Sequence, residues 1–251
     1  MMKTLLTEIR KCRKRKLWFI YLCALAVMVL WIYGSFARNP FTPSQAKVGY
    51  YTLLLNYTLM NLIFLPIVLA TSASRVCDIE NKGNTYKQLF TMQSRSSLFH
   101  GKLVLNGIYI FLLALLETLS ICVMGRHFHA AQKIPVNLLV LFFVSTFLVS
   151  MVLYVMQQVL SLLMSNQLMP LFIGLMGTFT GVFSAFFPNT ILTSIVPWGY
   201  YAVTSPLMME YTGGEVFYHV VPLPAEKILG FFLFGLIFYA AGFYRYLKKE
   251  V

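Results

Sequence analysis

The apolar residues of this chain fall into long runs that short polar stretches separate. The first run, residues 17–36, contains 20 residues without a charge. A helix of that length rises about 30 Å, which is the thickness of the hydrocarbon core of a bilayer. Each such run therefore predicts a membrane-spanning helix. Five more spans are predicted over residues 51–74, 103–125, 134–164, 168–187 and 224–244.

The composition agrees with this interpretation. Of the 251 residues, 59% are hydrophobic and only 11% are charged, whereas soluble domains contain about 25% charged residues. We therefore predict an all-α integral membrane protein with six transmembrane helices, which forms one transmembrane domain over residues 1–251.

The longest polar interval between the predicted spans covers residues 75–102. A charged first part, which includes Glu80, leads to Asn84 and Thr85. Either of these two residues can cap a helix, because a short oxygen-bearing side chain accepts a hydrogen bond from the free N–H groups of the first turn. The interval therefore predicts a short helix that begins near residue 85.

This short helix is predicted to be amphipathic over residues 86–93. Its apolar face is formed by residues at helical spacing, Tyr86, Leu89 and Phe90. Lys87 and Gln88 point away from that face. Such a helix would lie flat and present its apolar face to another molecule.

Residues 1–16 carry seven lysines and arginines beside apolar residues at nearly helical spacing. This pattern predicts an amphipathic helix on the inner membrane surface, where the cations would lie near anionic head groups. The other interpretation is a simple topology signal, and both can hold together.

The distribution of basic residues predicts the orientation of the chain. Fifteen lysines and arginines fall on the side that holds both termini and residues 75–102, and five fall on the other side. Because cytosolic loops are enriched in Lys and Arg, both termini and residues 75–102 are predicted to lie in the cytosol. The net charge of +12 is then explained by topology, and nucleic-acid binding is not indicated.

Residues 188–222 are apolar, but prolines and glycines interrupt them too often for one spanning helix. The segment also carries Trp198, Tyr200 and Tyr201. One interpretation is a set of short re-entrant helices on the outer side, covered by protein or facing a water-filled cavity. The other is an ordinary external loop whose aromatic residues lie at the level of the head groups.

Glu117 is the only ionisable residue well inside a predicted span. A carboxylate in hydrocarbon costs at least ~2.5 kcal/mol, so Glu117 should face the bundle, be partnered or be protonated. It belongs either to a substrate path or subunit contact, together with Asn56 and Asn61 of the second span, or to a purely structural hydrogen bond with a neighbouring helix.

A stripe of small residues lies on the fifth predicted span, where Gly177, Gly181 and Ala185 recur every four residues. Small residues at this spacing allow two helices to approach closely. The stripe predicts helix packing, either within the chain or between two copies.

No catalytic or metal site is indicated. His127, His129 and His219 lie in predicted outer segments without a further ligand at local spacing, and the four cysteines form no C-x-x-C pair. The sequence also contains no G-x-x-x-x-G-K-[ST] phosphate loop. If ATP drives this protein, the nucleotide site therefore lies on another polypeptide.

The polar interval resembles the first cytosolic loop of the ABC-2 type permeases, the membrane subunits of a large class of ABC transporters. The matching residues are Glu80, Asn84, Thr85, Lys87, Leu89, Ser94, Arg95, Gly101, Lys102 and Leu103. One position departs, because Gln93 stands where the family often has proline. Over nearly its full length the chain resembles the small permeases of lantibiotic self-immunity transporters.

The resemblance implies a permease of the bacterial cytoplasmic membrane that pairs with a second permease, identical or related, and with two copies of a cytosolic ATPase. ATP and Mg would bind to that ATPase and not to this chain. The predicted coupling residues, which would contact or orient the ATPase, are Glu80, Asn84, Thr85, Tyr86, Lys87, Leu89, Phe90 and Arg95.

The implied substrate is an antimicrobial peptide, often cationic. Glu210, Glu215 and the aromatic residues of 198–201 would offer such a peptide an outer contact. Export of a lipid, a drug or an ion by the same machinery is the alternative within transport. From a different class, the chain could serve as a membrane scaffold or sensor component that transports nothing.

Overall fold

A computed structural model describes residues 16–39, 41–82, 93–187, 191–212 and 215–248. The predicted interfacial helix of residues 1–16 lies outside the described residues except for Lys16. Most of the predicted coupling helix, residues 86–92, also lies outside them.

Six of the described helices are long and apolar enough to cross a membrane. They are α1 (Leu17–Arg38), α3 (Gly49–Lys82), α4 (Arg95–His127), α5 (Val136–Leu163), α6 (Leu168–Ala185) and α9 (Ala225–Leu247). The prediction of an all-α integral membrane protein with six spans is thereby confirmed. The short helices are α2 (Pro43–Ala46), α7 (Leu192–Ile195), a 3-10 turn (Pro197–Gly199) and α8 (Tyr200–Val203).

Two helices extend well beyond the apolar runs that predicted them. Helix α3 continues to Lys82 and α4 already begins at Arg95, so much of the polar interval is helical. Polar residues do not end a helix once it leaves the hydrocarbon, because water or head groups solvate their side chains. The start of α4 is set by Ser94, whose hydroxyl accepts a hydrogen bond from the Ser97 N–H at 3.3 Å.

The segment after α6 contains the predicted short helices and, in addition, a β-hairpin. Strands β1 (Leu207–Thr212) and β2 (Glu215–Val220) are antiparallel, with Leu207 opposite Val220. The sequence analysis did not predict this hairpin. Its local signal was the Gly-Gly pair at residues 213–214 followed by a short run rich in β-branched and aromatic residues, EVFYHV.

The helix bundle has two ends, a hairpin end and a loop end. The hairpin end holds β1, β2, the α4–α5 connection and the start of α9. The loop end holds the end of α3, the start of α4, the α5–α6 turn and the end of α9. The spans run between these ends in alternating directions.

Helix α3 is the centre of the bundle. It contacts α1, α4, α5 and α6, and it is the most buried of the six spanning helices. Helix α9 is the least buried of them and packs mainly on α5. The core side chains that α3 contributes include Leu62, Leu65 and Leu69. A change in the position of α3 would therefore be felt by four other spans.

The 3-10 turn and α8 are covered by the bundle, whereas Leu192 and Ile195 of α7 are exposed. Tyr200 and Tyr201 are only 2% and 3% exposed. The Tyr200 ring stacks on Phe231 of α9 with 4.1 Å between the ring centroids. This favours the protein-covered interpretation over an ordinary loop, since the tyrosines are used in packing and not as anchors in the head-group region.

Candidate functional site

The first two turns of α4 are tied to the last span. Arg95 Nη1 donates a hydrogen bond to the carbonyl oxygen of Leu247 at 2.5 Å. One turn further along α4, His100 Nε2 and the Tyr239 hydroxyl lie 2.7 Å apart and share a hydrogen bond. Both contacts join α4 to the final half of α9 at the loop end.

The same turns of α4 are also tied to α3 and α5. Lys102 is 1% exposed, and its Nζ donates to the carbonyl oxygen of Val76 in α3 at 3.4 Å. Gln158 Nε2 of α5 donates to the carbonyl oxygen of Phe99 at 3.0 Å. A buried lysine is costly unless polar atoms surround it, so the contact with Val76 ties α4 to α3 at a defined position.

These contacts join α4 to the three spans α3, α5 and α9 beside the segment that follows α3, residues 83–94. Of the predicted coupling residues, Glu80 lies in the helical part at the end of α3 and Arg95 opens α4. The others, Asn84, Thr85, Tyr86, Lys87, Leu89 and Phe90, lie outside the described residues. From the sequence, Lys102 was noted only as a residue that matches the ABC-2 permease loop, and its burial was not predicted.

A polar cluster lies inside the bundle and joins three spans. Asn61 Nδ2 of α3 donates hydrogen bonds to Glu117 Oε2 of α4 at 3.0 Å and to Thr146 Oγ1 of α5 at 3.3 Å. Asn61 and Glu117 are completely buried and Thr146 nearly so. Sequence reasoning expected Glu117 to face the bundle or find a partner. It could not name Thr146, because no local pattern marks that residue.

The polar cluster contains unused acceptor atoms. Within the described part of the chain, neither Glu117 Oε1 nor Asn61 Oδ1 has a hydrogen-bond partner. A cavity of about 10 Å³ borders Asn61 and Thr146, and most of the other residues that line it carry hydroxyl groups, among them Thr58 and Tyr201. The cluster is arranged to hold helices together through hydrogen bonds, and its residue types include no activated nucleophile.

A second buried polar cluster lies nearer the loop end. The Tyr21 hydroxyl of α1 lies 3.0 Å from Ser72 Oγ of α3 and 3.1 Å from Asn106 Oδ1 of α4. Ser72 also donates to Asn106. Sequence reasoning missed this cluster, although an asparagine in an apolar run was a usable signal at residue 106. Hydrogen bonds therefore connect α1, α3, α4 and α5 at two depths of the bundle.

Asn56 is not part of either cluster. Its Nδ2 donates to the carbonyl oxygen of Thr52 at 2.8 Å. It lines a cavity of about 490 Å³ at the hairpin end, which α1, the start of α3 and strand β2 enclose. Tyr218 of β2 closes one wall, and its hydroxyl lies 2.8 Å from Thr52 Oγ1.

The small-residue stripe on α6 is covered within the chain. A side chain added at Gly177 would place its Cβ only 2.1 Å from Trp198 Cε2, and one at Gly181 would meet the Trp198 backbone at 2.8 Å. Ala185 packs against the same core. The stripe thus makes room for the 3-10 turn that carries Trp198.

Three histidines of the predicted outer segments, His127, His129 and His219, lie at the hairpin end. The His127 ring packs against Tyr33 and Phe128, and His219 Nε2 lies 3.2 Å from Glu210 Oε2 across the two strands. His129 follows α4 with a positive φ of 55°. Over the described residues, no group of three or more His, Cys, Asp or Glu side chains is positioned to hold a metal ion.

Comparison with known proteins supplies the family. No curated protein matches the chain. Residues 4–181 match the model of a family described as ABC-2 family transporter protein. This match spans most of the chain, from before α1 to within α6, and confirms the resemblance to ABC-2 permeases. The chain therefore belongs to the ABC-2 family of transporter proteins and is a membrane-spanning permease component, of a kind that generally works with an ABC ATPase subunit.

Proposed function

We propose that this chain is one permease of an ATP-driven exporter in the bacterial cytoplasmic membrane, with its loop end and both termini in the cytosol. The observation that carries the proposal is the set of contacts on the first turns of α4. Arg95 and His100 connect them to α9, Lys102 connects them to α3, and Gln158 connects them to α5. A force applied to residues 83–94 would therefore reach four spans.

The apolar face of Tyr86, Leu89 and Phe90 is the proposed contact with the ATPase. Those side chains supply apolar area for burial in a groove, while Lys87 and Arg95 supply charges that orient the contact. ATP and Mg bind to the ATPase in this proposal. ATP-driven closure of two ATPase copies would push on this segment and shift α3 and α4 relative to the other spans.

A working exporter in this proposal contains two permeases, either two copies of this chain or this chain with a related one. Helices α1 and α6 carry large apolar side chains on their surfaces, among them Trp31 and Phe179. Surfaces of this kind are suited to lipid or to the apolar face of a second permease.

We propose an antimicrobial peptide as the substrate, on the strength of the whole-chain resemblance to lantibiotic self-immunity permeases. The hairpin end supports this in one respect, since Glu210 is exposed there. The aromatic residues Tyr200 and Tyr201 are removed from the expected peptide contact, because both are buried. The cavity that Asn56 lines is the better candidate for an outer contact.

Co-purification tests the central part of the proposal. The tagged chain is expressed with the ABC ATPase encoded beside it and purified in mild detergent. We expect the ATPase to co-elute with the wild type. The double variant Leu89→Asp with Phe90→Asp should insert normally and lose the ATPase, because two buried apolar contacts become charged.

The matched control is Gln88→Asp, which adds the same side chain on the opposite face and should retain the ATPase. Normal retention by the double variant would show that the docking helix is misplaced. A wild type that binds no ATPase under any condition would instead fit a scaffold. The substrate is tested separately, by comparing growth inhibition by a lantibiotic in cells with and without the gene.

A further inference from the structure

A cleft at the hairpin end separates the short helices from the last span. It encloses about 480 Å³ and lies between the α7 region and the first three turns of α9. Small-molecule sites commonly enclose about 300–1,000 Å³. The residues that line the cleft include Ser194, Tyr200, Glu226, Lys227, Phe231 and Phe234.

The cleft lies at the depth of lipid head groups. Helix α9 has 23 residues, and a helix of that length rises about 34 Å, slightly more than the hydrocarbon core. Its first turn, which carries Glu226 and Lys227, therefore falls at the boundary between hydrocarbon and head groups. Below this turn, Leu229 and Leu233 are 73% and 57% exposed on one side of the helix, as expected of a surface that acyl chains cover.

The basic side of the cleft is held in place by neighbouring residues. Lys227 Nζ donates to Thr193 Oγ1 at 3.1 Å, and the Tyr200 hydroxyl donates to the Lys227 carbonyl oxygen at 3.2 Å. An ammonium group has three N–H donors, so Lys227 can bind an anionic oxygen while it keeps the contact with Thr193. A phosphate is the anion that this depth of the membrane supplies.

The opposite charge completes the cleft. Glu226 is the neighbour of Lys227 and is exposed. The rings of Tyr200 and Phe231 stack with 4.1 Å between their centroids and are only 2% and 3% exposed, so they support the cleft without offering a free aromatic face. The Glu226 carboxylate is therefore the group that attracts an alkylammonium. The cleft thus offers one position for a negative group and a nearby position for a positive group.

We propose that this cleft binds the head group of a zwitterionic phospholipid, with the phosphate against Lys227 and the ammonium against Glu226. The acyl chains follow Leu229 and Leu233 along α9. The lipid is a bound component of the permease and not its cargo, so the site does not depend on the proposed substrate.

Native mass spectrometry of the purified full-length chain tests this site. The protein is titrated with phosphatidylethanolamine and with phosphatidylglycerol of the same acyl chains, because only the first carries an ammonium. We expect the wild type to bind phosphatidylethanolamine about fivefold more tightly, the effect of one additional charge contact at the membrane surface. Equal binding of the two lipids by the wild type would overturn the proposal.

Variants test which residue binds which charge of the head group. Glu226→Gln should abolish the preference for phosphatidylethanolamine, and Lys227→Gln should lower the affinity for both lipids about fivefold. Lys227→Arg keeps the charge and should bind as the wild type does. Lys133→Gln, an exposed site at the same end, is the matched control and should change nothing. An unchanged preference in Glu226→Gln, or unchanged affinity in Lys227→Gln, would contradict the assignment. Melting temperatures verify that each variant is folded.

Discussion

Asn61 and Glu117 form a direct hydrogen bond inside the membrane bundle, with 3.0 Å between Nδ2 and Oε2. The two residues lie on neighbouring spans, α3 and α4, which flank the proposed coupling segment. Because the same amide also donates to Thr146 of α5, one buried side chain fixes the relative position of three spans. Any shift that the ATPase imposes on α3 and α4 must keep or exchange this contact.

We predict that Glu117→Gln keeps the melting temperature of the detergent-purified chain close to that of the wild type, since a glutamine oxygen also accepts from Asn61. Glu117→Leu should lower stability by about 0.5–2 kcal/mol, the range measured for hydrogen bonds between membrane helices. The control is Leu116→Ala, which shortens an exposed side chain next to Glu117 on α4.

The double variant Asn61→Leu with Glu117→Leu extends this test. Replacing both partners by apolar groups leaves no donor unpaired between them, so the double variant should be more stable than the sum of its two single variants predicts. Strict additivity would mean that the two side chains do not interact.

Gly177 and Trp198 give a second prediction. A Cβ at residue 177 would lie 2.1 Å from Trp198 Cε2, so Gly177→Ala forces the indole to move. We expect a loss of about 1–3 kcal/mol, the usual cost of overpacking. Gly34→Ala is the matched control, because nothing lies within 4 Å of the added methyl group, and it should be neutral or slightly stabilising.

Trp198→Ala provides the internal check on that prediction. In a chain with alanine at residue 198, the Gly177→Ala substitution should cost almost nothing, since the indole is gone. If Gly177→Ala were equally harmful in both backgrounds, Trp198 would not be the source of the clash. Melting curves of the four proteins make the comparison.

The spans were predictable from the sequence because hydropathy is a local property of each segment. The contacts between spans were not. Asn61 and Glu117 are 56 residues apart, and which polar side chains meet depends on how whole helices pack. The hairpin was missed for another reason. Its Gly-Gly pair lies in a segment that prolines interrupt, and there glycine also indicates a broken helix.

The orientation is tested by single cysteines in a chain whose four native cysteines are replaced by serine. Native Cys77 is unsuitable as a reporter, because it is completely buried. Lys133→Cys is exposed at the hairpin end and Ser165→Cys is exposed in the α5–α6 turn at the loop end. An impermeant thiol reagent should label the first in intact cells and the second only after permeabilisation. The reverse pattern would invert the proposed topology.

Site-specific photocrosslinking in cells identifies the segment of the chain that contacts the ATPase. A photoreactive phenylalanine derivative replaces Phe90 in one chain and Tyr218 of the hairpin in another, and each is expressed with the ATPase and irradiated in cells. We expect a covalent adduct with the ATPase from residue 90 and none from residue 218. An adduct from residue 218, or none from residue 90 while the ATPase still co-purifies, would contradict it.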